Sequence, residues 1–400
     1  MPPTAHPAPT PASDDRRPLA GVRVLDFTMM MAGPYCTRFL ADLGAEVIKV
    51  ESSEGDYIRT RPPLRDGHSA YFGTLNCGKR SISLDLKNPA AVEAVKRLAA
   101  VCDVVVENFR PGVIKRLGLD YDTLAANNPR LVYCSLSGFG QDGPRAQEPA
   151  YAQIVAASSG FDLTFAGYQD GPMRPANNGI FFADVLGGTY AFSAVLAALN
   201  HRHATGRGQL IDATLMESMY LLMPYEVQEA QFPQKERRPV YPPFKTADGF
   251  LMVSAVSPKN FEALLDTIGV AGWRDDALLA TDKARQANWA NAMQTVEAWT
   301  SVRQADDCEL LLNNAGVPAT AYRTVRQSIN DPQAAHRTSL ATVRDGGGEF
   351  KVPNLPYKMS FAHISAGATV PKLGEDTDQV LGELAGLSAA EIEQARRPAR

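Results

Sequence analysis

The apolar residues of the first half of the chain come in two alternating rhythms. From Val22, VRVLDF is a short run rich in branched aliphatic side chains and predicts a buried strand. AGPYCTRFLADLG follows with a helical period closed by Gly44, and EVIKVE predicts a second strand. The alternation resumes with a strand over ISLDL at 82–86, a helix opened by Asn88 and Pro89 and running to about Val101, a strand at VVVEN, and another at LVYCSLS, 131–137. Repeated strand, helix, strand units imply parallel strands joined by crossover helices, hence an α/β fold built on an open, Rossmann-like parallel sheet.

Further along, Gly, Asp, Pro and Asn dominate 159–180, which reads as one long loop. A helix rich in Ala and Leu runs from Asp184 to about Ala204, stops at TGRG, and leads into a strand, QLIDATL, and a helix over MESMYLLMPYEVQEA. QFPQKERRPVYPP, at 231–243, carries four prolines and a charge run and marks a linker. Beyond it a strand, FLMVSAV, and helices near 258–269, 285–301 and 303–315 suggest a smaller α+β module. A helical period returns in DTDQVLGELAGLSAAEIEQARR. The organisation expected is a disordered arm over 1–18, poor in large apolar residues; a large α/β domain over 19–230; linker and small domain over 231–330; and a C-terminal segment over 331–400.

Composition narrows the function classes. With 40 basic against 44 acidic residues the formal charge is −4, which indicates neither a sequence-independent grip on nucleic acid nor a polybasic membrane surface. No stretch approaches about 18 uninterrupted apolar residues and no secretory pattern opens the chain, so neither a membrane span nor a secreted protein is expected, and the expected compartment is the cytoplasm. The 5 cysteines form no C-x-x-C pair, and His201 and His203 stand two apart on different helix faces, so neither a disulfide framework nor a metal site is expected.

Three features carry candidate chemistry. Gly138-Phe-Gly140-Gln-Asp-Gly143 has the form G-x-G-x-x-G after a strand, but Pro144 and RAQEP follow where a dinucleotide site needs a helix, so a tight turn is the better reading. Asp184 is a lone acid among aromatic and aliphatic residues, ahead of Gly187 and Gly188. It reads either as a helix cap or as a carboxylate held ionised by first-turn amides and facing a pocket kept clear by the two glycines. Lys79, Arg80, Lys87, Arg110 and Arg116 are each ordinary surface charges by default, yet all flank ends of predicted parallel strands, where open α/β sheets bind ligands, so a phosphorylated nucleotide is a candidate ligand.

Together, VRVLDFT, AGPYCTRFLADLGAEVIKVE, NCGKRSISLDLK, VVVENFRPGVIKRLGL, SGFGQDGP, ADVLGG, ALNHRHATGRGQ, NNAGVPATAYRTV and LGEDTDQVL resemble the class III CoA-transferases, of the formyl-CoA and carnitine CoA-transferase type. The resemblance implies Asp184 as covalent nucleophile. It places Met31, Ala32, Leu84, Asp85, Lys87, Asn108, Phe109, Arg110 and Arg116 on the stretches that contact coenzyme A, with Tyr151, Gly187 and Gly188 at the substrate pocket. It further implies an interlocked homodimer, a C-terminal segment returning to the first domain, acyl-CoA and a small carboxylic acid as substrates, and no tightly bound cofactor. The implied reaction moves CoA reversibly from an acyl-CoA to a free acid, a short dicarboxylate or hydroxy acid, through an aspartyl anhydride. The alternatives are intramolecular CoA transfer within one dicarboxylate, 2-methylacyl-CoA racemisation, and non-catalytic acyl-CoA binding. The racemases pair a His with an Asp, and Tyr151 stands about where that His falls; a phenol is a poor base at neutral pH. Met29-Met30-Met31 replaces the polar residues of formyl-CoA transferase ahead of AGP, and Ser52 replaces a basic residue.

Overall fold

The structure is a computed structural model that describes residues 17–169, 174–175, 178–233, 240–270, 272, 281, 284 and 288–399. The expected arm over 1–18 lies, but for Arg17 and Pro18, outside the described residues, as do parts of the expected loop, linker and 285–301 helix. The chain divides into two units, one running to Gln228 and resuming at His336, the other spanning Glu229–Ala335.

In the first unit, β1 (Arg23–Asp26), α1 (Ala32–Asp42), β2 (Glu46–Glu51), α2 (Ala70–Asn76), β3 (Arg80–Ser83), α3 (Pro89–Ala100), β4 (Val104–Glu107), β5 (Val132–Ser137), α4 (Ala152–Ser158), α5 (Phe161–Gly167), α6 (Phe182–Thr205), β6 (Gln209–Thr214) and α7 (Leu215–Leu222) follow in order. The six strands form one sheet, ordered β3-β2-β1-β4-β5-β6 and parallel throughout. This is the doubly wound arrangement, in which the order reverses between β1 and β4. Successive side chains point to opposite faces and both faces are covered. Val24, Val47, Val104 and Val132 pack toward α1 and α6, whereas Leu25, Ile48, Ile82, Val105 and Tyr133 pack toward α3 and the C-terminal helices Thr377–Glu383 and Ala389–Arg396.

Several boundaries differ from the sequence pattern for local reasons. β3 ends at Ser83 rather than 86, because the Asp85 carboxylate accepts from the Lys87 N–H and turns the chain toward the Asn88 cap. The expected long loop contains α5, entered through Gly160 at φ +85° and stiffened by stacked Phe161 and Phe165 rings. The helix expected over MESMYLLMPYEVQEA breaks at Met223, since Pro224 disfavours helical geometry in the residue before it. The C-terminal helical pattern is two helices, separated near Gly386 at φ +64° and restarted by the capping box of Ser388 and Glu391.

Residues from His336 belong to the first unit, and charges fasten them there. Asp376 accepts from the Ser81 N–H and pairs with Arg80, Arg59 donates to the Pro371 carbonyl oxygen, and Arg65 pairs with Asp345. The second unit has a three-stranded antiparallel sheet of Phe244–Lys245, Phe250–Val253 and Ala319–Ala321, with helices Pro258–Ile268, Trp289–Thr300 and Ala305–Asn314 around its own core.

α6 is long and apolar enough, by length and composition alone, to cross a membrane. Its Ala183, Gly187, Ala191, Val195 and Ala198 form a buried stripe, with Phe192 meeting Phe39 of α1 edge to face at 5.6 Å. The glycines set how near its neighbours come. A Cβ at Gly188 would lie 2.5 Å from the carbonyl oxygen of Ala32, a backbone atom, whereas one at Gly187 would meet the mobile end of the Leu215 side chain. Gly188→Ala is therefore expected to destabilise the fold by about 1–3 kcal/mol, and Gly187→Ala by clearly less, as read from urea midpoints.

Candidate active site

The reversal of strand order opens a crevice beyond the carboxyl ends of β1 and β4, and there lies a cavity of about 840 Å³. From the β1 side it is lined by Met29, Met30, Met31 and Ala32, and from the β4 side by Asn108, Phe109 and Arg110. The two ends are tied together: Asn108 accepts from the Met29 N–H at 2.9 Å and donates to the Met29 carbonyl oxygen at 2.8 Å. Beneath Phe109, the buried Glu107 accepts from its N–H at 2.8 Å. Burial pushes Glu107 up to about 7 against the opposing hydrogen bonds from Ser135 and Phe109.

Buried charges shape the methionine turn. Lys49, fully buried on β2, donates to the Thr28 carbonyl oxygen at 2.6 Å and lies 3.1 Å from Asp56 Oδ2, a charge contact rather than a hydrogen bond. The other Asp56 oxygen accepts from the N–H groups of Met30 and Ile58, both at 3.2 Å. Met30 needs that clamp, because its φ of +66° lies in the left-handed region that side chains resist. Behind it, Asp26 bonds Thr28 and Thr37, and Lys79 reaches Asp26, Thr37 and Asn76. Burial drives Lys79 down to about 8, opposed by Asp26; Asp26 ends below its ordinary value, the two lysines and two hydroxyls outweighing its own burial.

Asp184 stands in the first turn of α6 and lines the cavity with Phe181, Leu136, Leu215 and Tyr71. It is not the cap: Phe181 holds that position, with no side-chain capping bond, and the Asp184 carboxylate has no hydrogen-bond partner among the described residues. Burial, with no hydrogen bond against it, pushes its carboxyl up to about 6. Tyr71 is raised to about 12, first by burial and then by the charge of Asp184, so it stays a protonated donor beside that carboxylate.

Of the other residues singled out from sequence, Met31, Ala32, Asn108, Phe109, Arg110 and Tyr151 line this cavity with Asp184. Leu84, Asp85, Lys87 and Arg116 do not. Leu84 is buried in the core, Asp85 accepts from the N–H groups of Lys87 and Ala399, and Lys87 and Arg116 are exposed. Gly187 and Gly188 do not line it either; they are contact points of α6 with α7 and α1, and amides inside a helix are committed to its ladder. Lys79 and Arg80 are structural, the one buried against Asp26, the other paired with Glu46 and Asp376, so neither is open to a nucleotide. The G-x-G-x-x-G segment is a turn, with Gly140 and Gly143 at φ +101° and +86°. Sequence reasoning missed Tyr57, Arg61, Tyr71 and Glu148, which the fold brings to the cavity from separate segments. Among the described residues no group of three or more His, Cys, Asp or Glu is placed to hold a metal ion.

The clamp on Met30 generates a coupling. Asp56→Ala removes both the acceptor of the Met30 N–H and the nearest counter-charge of Lys49, and is expected to destabilise by about 3 kcal/mol. In a Met30→Gly background, where the backbone reaches positive φ unaided, the same change is expected to cost at least about 0.5 kcal/mol less, measured as a double-mutant cycle in urea.

The chain matches CoA-transferase family III over residues 19–377. It is 35% identical over 388 residues to a succinate–glutarate CoA-transferase of Agrobacterium fabrum, covering 92% of this chain and 96% of that one. It is 34% identical over 399 residues to a succinyl-CoA–D-citramalate CoA-transferase of Chloroflexus aurantiacus, covering 95% and 98%. A crystal structure of a CaiB/BaiF family protein from Brucella suis superposes with a TM-score of 0.81 at 33% identity, covering 92% of this chain and 100% of that one. Parallel sheet, crevice and sequence agree, and the chain belongs to CoA-transferase family III.

Proposed function

We propose that this CoA-transferase moves CoA from a succinyl-type acyl-CoA to a free short dicarboxylic or hydroxy acid through a covalent anhydride on Asp184. The observation that carries the reading is a half-buried carboxylate without a hydrogen-bond partner among the described residues, lining the sheet's ligand crevice together with Phe181, Leu136 and Leu215. The two relatives described above, whose names specify succinate with glutarate and succinyl-CoA with citramalate, support the substrate class.

In this reading an Asp184 oxygen attacks the thioester carbonyl, the carbon–sulfur bond breaks, and CoA leaves as thiolate, giving the acyl-aspartyl anhydride. The thiolate then attacks the aspartyl carbonyl and frees the donor acid. The acceptor carboxylate displaces the thiolate from the aspartyl thioester, and the thiolate finally attacks the acceptor's carbonyl, releasing Asp184. No proton changes hands and no water enters; the methionine turn, Leu136, Phe181 and Leu215 keep the anhydride dry. Since Gly187 and Gly188 cannot serve, developing oxyanion charge falls to the Tyr71 hydroxyl and the Ala32 N–H, at an α1 N-terminus that has no side-chain cap.

We also infer a cytoplasmic homodimer. Exposed Ile154, Leu163, Leu210, Leu221 and Leu222 leave the first unit with apolar surface that a second copy would cover.

Asp184→Ala is expected to retain the fold by circular dichroism and lose transfer by at least about 10³-fold. Hydroxylamine should trap an adduct at Asp184 only in the unmodified protein, and an adduct elsewhere would overturn the mechanism. Because Asp184 is nucleophilic only as the anion, kcat/KM is expected to be level above pH 6 and to fall about tenfold per unit below it. Deuterium entering the α-carbon from heavy water would favour racemisation instead.

A further inference from the structure

Arg61 is an arginine in an unusual position. It follows the 3-10 turn Tyr57–Thr60 and lines the same cavity as Asp184. Its backbone is fixed: its N–H donates to the Ile58 carbonyl oxygen at 3.1 Å, its own carbonyl oxygen accepts from the Ser69 hydroxyl at 2.6 Å, and Pro62 and Pro63 follow. Its guanidinium lies over the Tyr57 ring, 4.1 Å from the centroid, and Tyr57 lines the cavity too. Yet that guanidinium has no hydrogen bond or ion pair among the described residues. Its neighbours do: Arg59 is held by both oxygens of Glu51, and Arg65 by Asp345.

The cavity therefore offers two uncommitted cations on different walls. Arg110 stands on the β4 wall with Asn108 and Phe109. Arg61 stands on the wall made by the 3-10 turn and α2, which pack together and carry Tyr71, the residue that feels the charge of Asp184. Glu148, the other acid lining the cavity, is already paired with Arg145. A planar fork of N–H donors stacked on an aromatic ring is preorganised for a carboxylate.

We propose that Arg61 is a specificity-determining residue that binds the second carboxylate of a dicarboxylic acyl group while the first reacts at Asp184. This deepens the proposed function and rests on Asp184 as the reacting carboxylate. An acid with one carboxyl would leave the guanidinium solvated, whereas a dicarboxylate would pair with it and be aligned by it. Discrimination then resides in one side chain on a different segment of the cavity wall from Asp184.

The test uses matched acids, glutarate and valerate, which have the same carbon count and differ by one carboxylate. Butyryl-CoA serves as donor, so that only the acceptor brings a second charge. In Arg61→Met, kcat/KM for glutarate is expected to fall about 10- to 100-fold more than for valerate, with Arg61→Lys between. Equal losses for the two acids would overturn the proposal, as would a rise in the KM for butyryl-CoA large enough to account for the loss, which would assign Arg61 to the phosphates of CoA. Calorimetric titration of both acids into the unmodified protein and Arg61→Met separates this from the mechanism. Tighter binding of glutarate that depends on Arg61 would support the anchor even if Asp184 proved not to be the nucleophile. Equal binding of the two acids would sink the anchor even if transfer proceeded through Asp184.

Discussion

Two lysines and two aspartates withdrawn from water hold the carboxyl end of the sheet in shape. Lys49, Lys79, Asp26 and Asp56 are each 5% exposed or less, and together they link β1, β2, the segment before β3 and the 3-10 turn. Removing four charges from solvent is expensive, and apolar replacements of equal volume would commonly be as stable or more so. What such replacements could not do is accept the Met30 N–H or donate to the Thr28 carbonyl oxygen. Those bonds hold the chain at positive φ where it leaves β1, and that turn is both the wall of the cavity and the lead-in to α1. The cluster trades stability for a defined backbone at the one place where the topology opens a crevice.

Asp184 is governed by an opposing pair of effects. The first turn of a helix favours a negative charge, while burial against Phe181, Leu136 and Leu215 disfavours it. Burial leads and brings the carboxyl to about 6, so it remains mostly anionic near neutrality while carrying few stabilising contacts. A carboxylate solvated by three or four donors would be a poorer nucleophile, because attack would require breaking those bonds. A capping Asp would have been that kind of carboxylate, and the shift of the cap to Phe181 leaves Asp184 uncommitted.

How much could be read from the chain follows from how local each feature is. The strands VRVLDF, EVIKVE and VVVEN were legible because fully buried parallel strands are short and aliphatic, and the doubly wound fold follows from their alternation with helices. Asp184 was ambiguous from its neighbours, since an acid at a helix start serves caps and catalysis alike; family resemblance supplied the preference. Lys49 and Lys79 were illegible as structural groups, because nothing near them in sequence announces Asp56 or Asp26 as partners. For Gly187 and Gly188 the chain alone does not distinguish a pocket from a helix contact: whether the missing side chain faces a ligand or a neighbouring helix is decided by packing, and here both positions meet neighbouring elements.

Division of labour within the cavity explains how one scaffold serves different acids. The methionine turn and the β4 segment are bound to the sheet and to each other by buried or mutually satisfying contacts, so a change in either disturbs the fold as well as the cavity. The wall bearing Tyr57 and Arg61 differs. Its backbone is fixed by the turn and by Ser69, but the two side chains are exposed, with 58% of Tyr57 accessible, and the rest of the structure does not require them. Substitution there alters what the cavity recognises with little loss of stability, because surface positions outside hydrogen-bonded networks tolerate change. If Asp184 is the reacting carboxylate, specificity in this architecture is expected to vary on the 3-10 wall and the acid on α6 to stay constant.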